Sequence, residues 1–234
     1  MKTLRFLLSG ALALATLFTA QAQTADDIIN KHIEAIGGAA NWKKVNSVIT
    51  AGSLTVQGAE VSITSTVVHN KGARQDISVM GMTGYTIVSP TAGWNLAPWN
   101  GQTTAEAMTA EDVKEAQDQL DAQGTLIDYK TKGHTVELLG TEDIEGTECH
   151  KLKITLKTGK TETIYLDPKS FYMVRMTGKQ KANGQEVEVT TTFANYQKLP
   201  EGIVIPMSVT LPFGEMTVSK VEINKPVDES IFKG

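Results

Sequence analysis

The sequence predicts a mainly β protein of the α+β class, one large antiparallel sheet with a few helices laid against it. Three observations carry this. Apolar residues alternate with a period of two through most of the chain, short turn sequences separate the alternating stretches, and helical periodicity is confined to the start and one middle segment. The helix-strand alternation that builds parallel sheets is scarce, which disfavours a doubly wound nucleotide-binding fold. With 234 residues, 41% of them hydrophobic, the chain can bury a sizeable core.

The first 22 residues are expected to be removed. Lys2 and Arg5 precede an apolar stretch from Phe6 to Phe18, and Ala20-Gln21-Ala22 supplies the small residues of a signal-peptidase site. The stretch is short of the roughly 20 residues that span a bilayer. Cleavage after Ala22 leaves residues 23–234 as a single exported domain. A lipoprotein signal would place a cysteine at that site, whereas the chain's one cysteine is Cys149, so the mature protein is expected to be unlipidated.

The mature chain opens on a helix. Thr24 is its cap, Asp26 and Asp27 occupy the first turn, Ile28, Ile29, Ile33 and Ile36 share a face, and Gly37-Gly38 ends it. His32 lies on the same stripe and reads as a packed ring. A helical turn at Asn41 to Val45 follows, anchored by Trp42. From Ser47 the period becomes two, and a hairpin turns at Gln57-Gly58, with Val61, Ile63, Ser65 and Val67 alternating against Glu60, Ser62, Thr64 and Thr66. Further strands are expected at Ala73 to Met80, Tyr85 to Ser89, Gly93 to Ala97, Thr135 to Gly140, Cys149 to Lys157, Thr161 to Asp167, Phe171 to Lys179, Gln185 to Gln197, Ile203 to Leu211 and Glu215 to Asn224. Turn signals such as Asn70-Lys71-Gly72, Thr158-Gly159-Lys160 and Asn183-Gly184 divide them into a meander.

One interruption runs from Gln102 to Leu120. Thr109 and Asp112 form a capping-box pattern, and Val113, Ala116 and Leu120 make a narrow apolar stripe, which predicts a helix resting lightly on the sheet. After Pro226 a short turn is expected to tuck Ile231 and Phe232 onto the body.

The residues offer little for catalysis. The formal net charge is −4, two units more negative once Lys2 and Arg5 are removed, and no basic patch suits a nucleic acid. His32, His69, His134 and His150 are scattered without zinc-ligand spacing, and neither a Gly-x-Ser-x-Gly elbow nor a helix-opening phosphate loop is present. Cys149 and His150 are adjacent on a strand and so point to opposite faces, a poor nucleophile-base geometry. Glu186 and Glu188 alternate with Val187 and Val189 as a solvated strand face. No enzyme, cofactor or metal is expected.

An adaptable apolar inventory stands in their place. Met80, Met82, Met173, Met176, Met207 and Met216 lie in or beside predicted strands, with Trp94 and Trp99 near the middle segment. Methionine fills cores, and it also suits surfaces that accept varied apolar ligands. A wide sheet has more surface than one capped helix and one thin helix can cover, so a cleft for apolar ligands is expected. The rival reading is a non-catalytic envelope module with a filled core. The expected ligand face comprises Leu54, Val56, Val61, Ile63, Val67, Ile77, Val79, Tyr85, Ile87, Trp94 and Leu96, with Met82 at the rim and Val113, Ala116 and Leu120 facing them from a lid.

The export signal without a lipidated cysteine, the helix Ala25 to Ile36, the strand pair from Ser47, the block His69-Asn70-Lys71-Gly72-Ala73-Arg74-Gln75-Asp76, the Trp94 strand and the ending Val221 to Phe232 carry a resemblance. Together they resemble the LolA/LolB-type periplasmic lipoprotein carriers, particularly the outer membrane lipoprotein-sorting proteins of Bacteroidetes. The resemblance implies an unclosed half-barrel with helices as a lid, a cavity for lipoprotein acyl chains or another lipid, and a monomeric periplasmic carrier. It also implies an inner-membrane release complex and an outer-membrane acceptor as partners. An arginine on an early strand holds the lid in such carriers, and Arg74 is the matching residue. Asp76, two residues on and on the same face, offers Arg74 a local ion pair instead.

Overall fold

Alternation becomes pairing over nearly the whole chain. The computed structural model describes residues 23–182 and 185–234; the expected signal segment 1–22 and the Asn183-Gly184 turn lie outside the described residues. The helices are α1 (Ala25–Ala35), α2 (Ala39–Trp42) and α3 (Ala110–Glu115). The first strands are β1 (Ser47–Val56), β2 (Ala59–Val68), β3 (Gly72–Val79), β4 (Met82–Val88), β5 (Gly93–Leu96) and β6 (Glu106–Ala107). The later ones are β7 (Thr135–Ile144), β8 (Thr147–Thr155), β9 (Thr161–Leu166), β10 (Met173–Ala182), β11 (Gln185–Lys198), β12 (Val204–Leu211) and β13 (Gly214–Ile223). All predicted strands are present; β6 is an addition too short to leave a periodic signal.

The strands form one antiparallel sheet in the order β6-β5-β4-β3-β2-β1-β13-β12-β11-β10-β9-β8-β7. It does not close, and so makes an unclosed half-barrel. The order departs from the expected simple meander. β6 and β7 are successive in sequence yet sit at opposite edges, so the segment between them crosses the sheet, and that crossing brings α3 over its inner face. Several hairpins are two-residue loops with both residues at positive φ, among them Gln57-Gly58 (50° and 84°), Met80-Gly81 (51° and 79°) and Glu145-Gly146 (53° and 86°). Such turns match the right-handed twist of the strands, and glycine takes the second position without steric cost.

Three apolar clusters hold the inner side. α1 is capped as the sequence predicts, with Asp27 N–H donating to Thr24 Oγ1 at 3.2 Å and Thr24 N–H to Asp27 Oδ2 at 3.0 Å. Its Ile28 and Ile29 pack on Leu152, Ile154, Ile164 and Leu166 of β8 and β9. In the middle, Trp42, Val45 and Ala122 meet Val48, Ile203, Ile205 and Ile223. At the far side, Ala116 and Leu120 meet Val67, Ala73 and Val88. The C-terminal segment lies on the opposite, outer face. There Phe232 packs on Gly72, where a Cβ would come within 2.3 Å of the ring, so only glycine allows this approach.

Candidate functional site

Residues aligned across an antiparallel pair share a face, so the register assigns each predicted residue to a side. Leu54 aligns with Val61 and Val56 with Ala59; Val61 aligns with Val79, Ile63 with Ile77, Val67 with Ala73, and Val79 with Met82. Because Val67, Ala73 and Val88 carry the lid, this is the inner face. Leu54, Val56, Val61, Ile63, Val67, Ile77, Val79 and Met82 therefore lie on the side expected of them. Leu54 and Val61 are buried, Val56, Ile63, Ile77 and Val79 are half-buried, and Met82 is 36% exposed at the rim.

Tyr85, Ile87, Trp94 and Leu96 do not join them. Tyr85 aligns with Asp76 and Leu96, and Ile87 with Arg74 and Trp94, which places all four on the outer face. The physical reason is that β4 is buried on both sides: Ile87 and Val88 are both 0% exposed. A strand covered on each face has no apolar-polar phase to read. Trp94 lies beneath the C-terminal Gly234. The inner positions of β4 and β5 are Met82, Gly84, Thr86, Val88, Gly93 and Asn95.

The lid is a single turn-and-a-half of helix continued by a 3-10 turn over Ala116–Leu120. Thr109 caps it, accepting from Asp112 N–H at 3.1 Å. Val113, Ala116 and Leu120 are all buried, as the stripe predicts. Polar contacts fix its course. Asn70 N–H donates to Leu120 O at 2.9 Å, and Gln117 Nε2 donates to Ser89 O at 3.2 Å. On the far side Lys160, in the turn between β8 and β9, reaches Asp118 of the lid at 3.0 Å and Glu162 of β9 at 3.2 Å. Burial pulls on the Lys160 ammonium, but the Asp118 and Glu162 carboxylates outweigh it and leave its pKa above the ordinary lysine value.

One hollow lies under α1 and another flanks the lid. A cleft of about 660 Å³ lies between it and the Thr158–Thr161 turn, with Lys160, Glu115, Gln119 and Glu186 on its walls. A smaller cavity of about 130 Å³ lies between α1 and the sheet, lined by Ile36, Trp42, Leu126, Ile164, Met173, Met176 and His32. His32 donates from Nδ1 to Phe171 O at 2.7 Å, and burial holds its pKa below the usual histidine value. It is a packed neutral ring, as its place on the isoleucine stripe predicts.

Solved structures with the same arrangement are at hand. A LolA superfamily protein from Nitrosomonas europaea superposes with a TM-score of 0.56 at 15% identity, over 91% of this chain and 99% of that one. A DUF1329 family protein from Desulfovibrio piger gives 0.54 at 13% identity, over 90% and 98%. A domain described as an outer membrane lipoprotein-sorting protein from Vibrio parahaemolyticus gives 0.51 at 14% identity, over 88% and 95%. The chain has a LolA/LolB-type fold. No family model and no curated protein matches the sequence.

Within this LolA-type sheet Arg74 is turned away from the lid. Its Nε and Nη2 donate to Asp76 at 2.7 to 3.0 Å, its Nη1 donates to Ile231 O at 3.2 Å, and its guanidinium lies 4.5 Å from the centre of the Tyr85 ring. The hydrogen bond to Asp76 raises the Arg74 pKa further. Arg74 thus fastens the C-terminal turn to the outer face, and the local Asp76 pair is formed. A cation that does touch the lid is Lys160. Sequence reading missed it because its partner Asp118 is 42 residues away, and no local pattern marks a contact of that separation.

Cys149 and His150 are separated as strand geometry requires. Cys149 packs with Ile144, Tyr165 and Val174, and burial pushes its thiol pKa up, while His150 stacks on Phe171 with ring centres 5.8 Å apart. A buried thiol of raised pKa is a poor nucleophile. Glu186 and Glu188 are exposed, and Glu186 pairs with Lys179 at 3.0 Å. Among the described residues no group of three or more His, Cys, Asp and Glu side chains is placed to hold a metal ion.

Proposed function

We propose that the protein is a periplasmic carrier that shelters the acyl chains of a lipoprotein or another lipid against its inner sheet face and delivers them toward the outer membrane. One observation carries the reading: the apolar surface of Leu54, Val61, Ile63, Ile77 and Val79 lies beside a thin lid on a sheet that does not close. The lipoprotein-sorting domain of like fold supports it. Each methylene removed from water is worth about 0.8 kcal/mol, so an acylated anchor cannot cross an aqueous compartment unaccompanied. The cavity under α1 is smaller than the roughly 300 Å³ at which ligand pockets begin, so a chain can enter beneath α1 only if α1 moves outward. A lid held by a short apolar stripe and the charged Lys160–Asp118 contact can do so.

In this reading residues 1–22 direct export and are cleaved after Ala22, the protein is a monomer without catalytic activity, and an inner-membrane release complex and an outer-membrane acceptor are its handover partners. Purification from a native-like envelope host, followed by solvent extraction and mass spectrometry, tests it. Stoichiometric acylated ligand is expected. A protein that carries none, and takes up no acylated probe, is instead an envelope module with a filled core.

A further inference from the structure

One register row on the inner face of β1 to β5 differs from its neighbours. Thr50, Ser65, Gln75, Thr86 and Asn95 align across five adjacent strands; Gln75 is exposed and the other four are half-buried. The row on the lid side is Val48, Val67, Ala73, Val88 and Gly93; the row on the hairpin side is Gly52, Ile63, Ile77 and Gly84. A polar belt about 19 Å long, at the usual ~4.8 Å strand spacing, therefore crosses an apolar surface.

The belt presents open donors. Thr86 Oγ1 donates to Asn95 Oδ1 at 2.8 Å, which orients the Asn95 amide and leaves its NH₂ directed elsewhere. Among the described residues no hydrogen-bond partner meets the Gln75 carboxamide or the Ser65 and Thr50 hydroxyls. At the Asn95 end the belt meets a recess of about 280 Å³ lined by Ile77, Thr86, Asn95, Trp99, Asn100 and Gln102. A plain hydrocarbon laid across these groups would strip their water and return nothing, whereas a carbonyl oxygen would accept their hydrogens.

We infer that this belt is a subsite for the ester or amide carbonyls that join acyl chains to a polar backbone. The chains themselves lie over Ile63, Ile77, Val61 and Val79, toward the hairpin turns. The inference rests on the carrier reading and adds the linkage chemistry that the carrier selects. An acylated lipoprotein anchor and a free glycerolipid share that chemistry.

The test is competition binding to the purified protein with four probes: a diacyl phosphatidylglycerol, its dialkyl ether analogue, a synthetic tripalmitoylated lipopeptide, and a hydrocarbon dye without carbonyls. The diester is expected to bind about 3- to 10-fold more tightly than the diether, the range that one or two neutral hydrogen bonds supply. Gln75→Leu with Asn95→Leu should abolish that ratio while dye binding is kept. Gln75→Met, which keeps the Thr86 to Asn95 bond, should halve the preference or more, and thermal melting verifies folding of each variant. The stronger of lipopeptide and diester names the source. Equal binding of diester and diether by the wild-type protein, or an unchanged ratio in folded variants, overturns the belt assignment alone. Failure of all four probes to bind overturns the carrier reading and the belt with it.

Discussion

Replacing Lys160 by methionine should loosen the lid without unfolding the sheet. The ammonium stands 3.0 Å from Asp118 and 3.2 Å from Glu162, and the three side chains are 32%, 18% and 11% exposed. At an effective dielectric near 20, a pair at that distance attracts by about 5.5 kcal/mol before desolvation is counted. Exposed pairs net about 0–1 kcal/mol, and breaking a buried one costs about 3–5 kcal/mol, so this partly exposed site should lose about 1–2 kcal/mol. The loss falls on lid closure, because Asp118 belongs to the lid and Glu162 to the sheet. Amide hydrogen exchange at residues 113–120 should then quicken about 5- to 30-fold, with β8 and β9 unchanged. Lys153→Met on the outer face serves as control. The raised Lys160 pKa gives the pH sign: this stabilisation is complete below the ordinary lysine pKa near 10.5 and is lost only as pH rises through the higher folded value. Lid exchange in the variant that matches wild type after correction for intrinsic rates would refute the latch.

Three further outcomes follow from the geometry. His32 is held neutral, so an unfolded chain takes up a proton near pH 6.5 that the folded one refuses, and stability falls as pH drops below that value. Urea melts from pH 7 to 5 should show His32→Gln reducing the slope by up to about 1.4 kcal/mol per pH unit, and an identical slope would mean His32 accepts its proton in place. Ile63→Glu should cut capture of an acyl probe at least tenfold in a folded protein, while outer-face Thr64→Glu, its sequence neighbour, should leave capture unchanged; equal effects at both would dismiss the inner-face assignment. Gly72→Ala should lower stability by about 1–3 kcal/mol through the clash with Phe232, and Phe232→Ala in the same chain should relieve part of it, which a double-mutant cycle of melting measurements reads directly.

Much of the candidate site was legible because its strands are buried on one side only. In β2, Val61, Ile63 and Val67 alternate with exposed Glu60 and Ser62, so water on one face and core on the other wrote a phase into the chain. The lid stripe of Val113, Ala116 and Leu120 was legible for the same reason. In β4 and β5 that contrast is missing. The C-terminal turn covers the outer face, apolar residues occupy both phases of β4, and in β5 the apolar phase of Trp94 and Leu96 is the outer one, so Tyr85, Ile87, Trp94 and Leu96 were read onto the wrong side. The polar belt escaped notice because one Ser or Thr within an alternating strand is ordinary; its meaning lies in five strands placing a polar side chain at the same level.

By itself, then, the amino-acid order determined what short-range forces control: the Thr24 and Thr109 caps, the X-Gly hairpin turns, the strand extents and the separation of Cys149 from His150 on opposite faces. Tertiary structure alone decided that β13 pairs with β1 and that β6 and β7 stand at opposite edges. From that came the crossing segment that is the lid, the Lys160 contact that holds it, and the assignment of Arg74 to the tail. Periodicity acts over a few residues, through the geometry of one strand or turn. Edge order and ion pairs between distant segments depend on how whole surfaces are buried, and no local stretch of sequence contains that information.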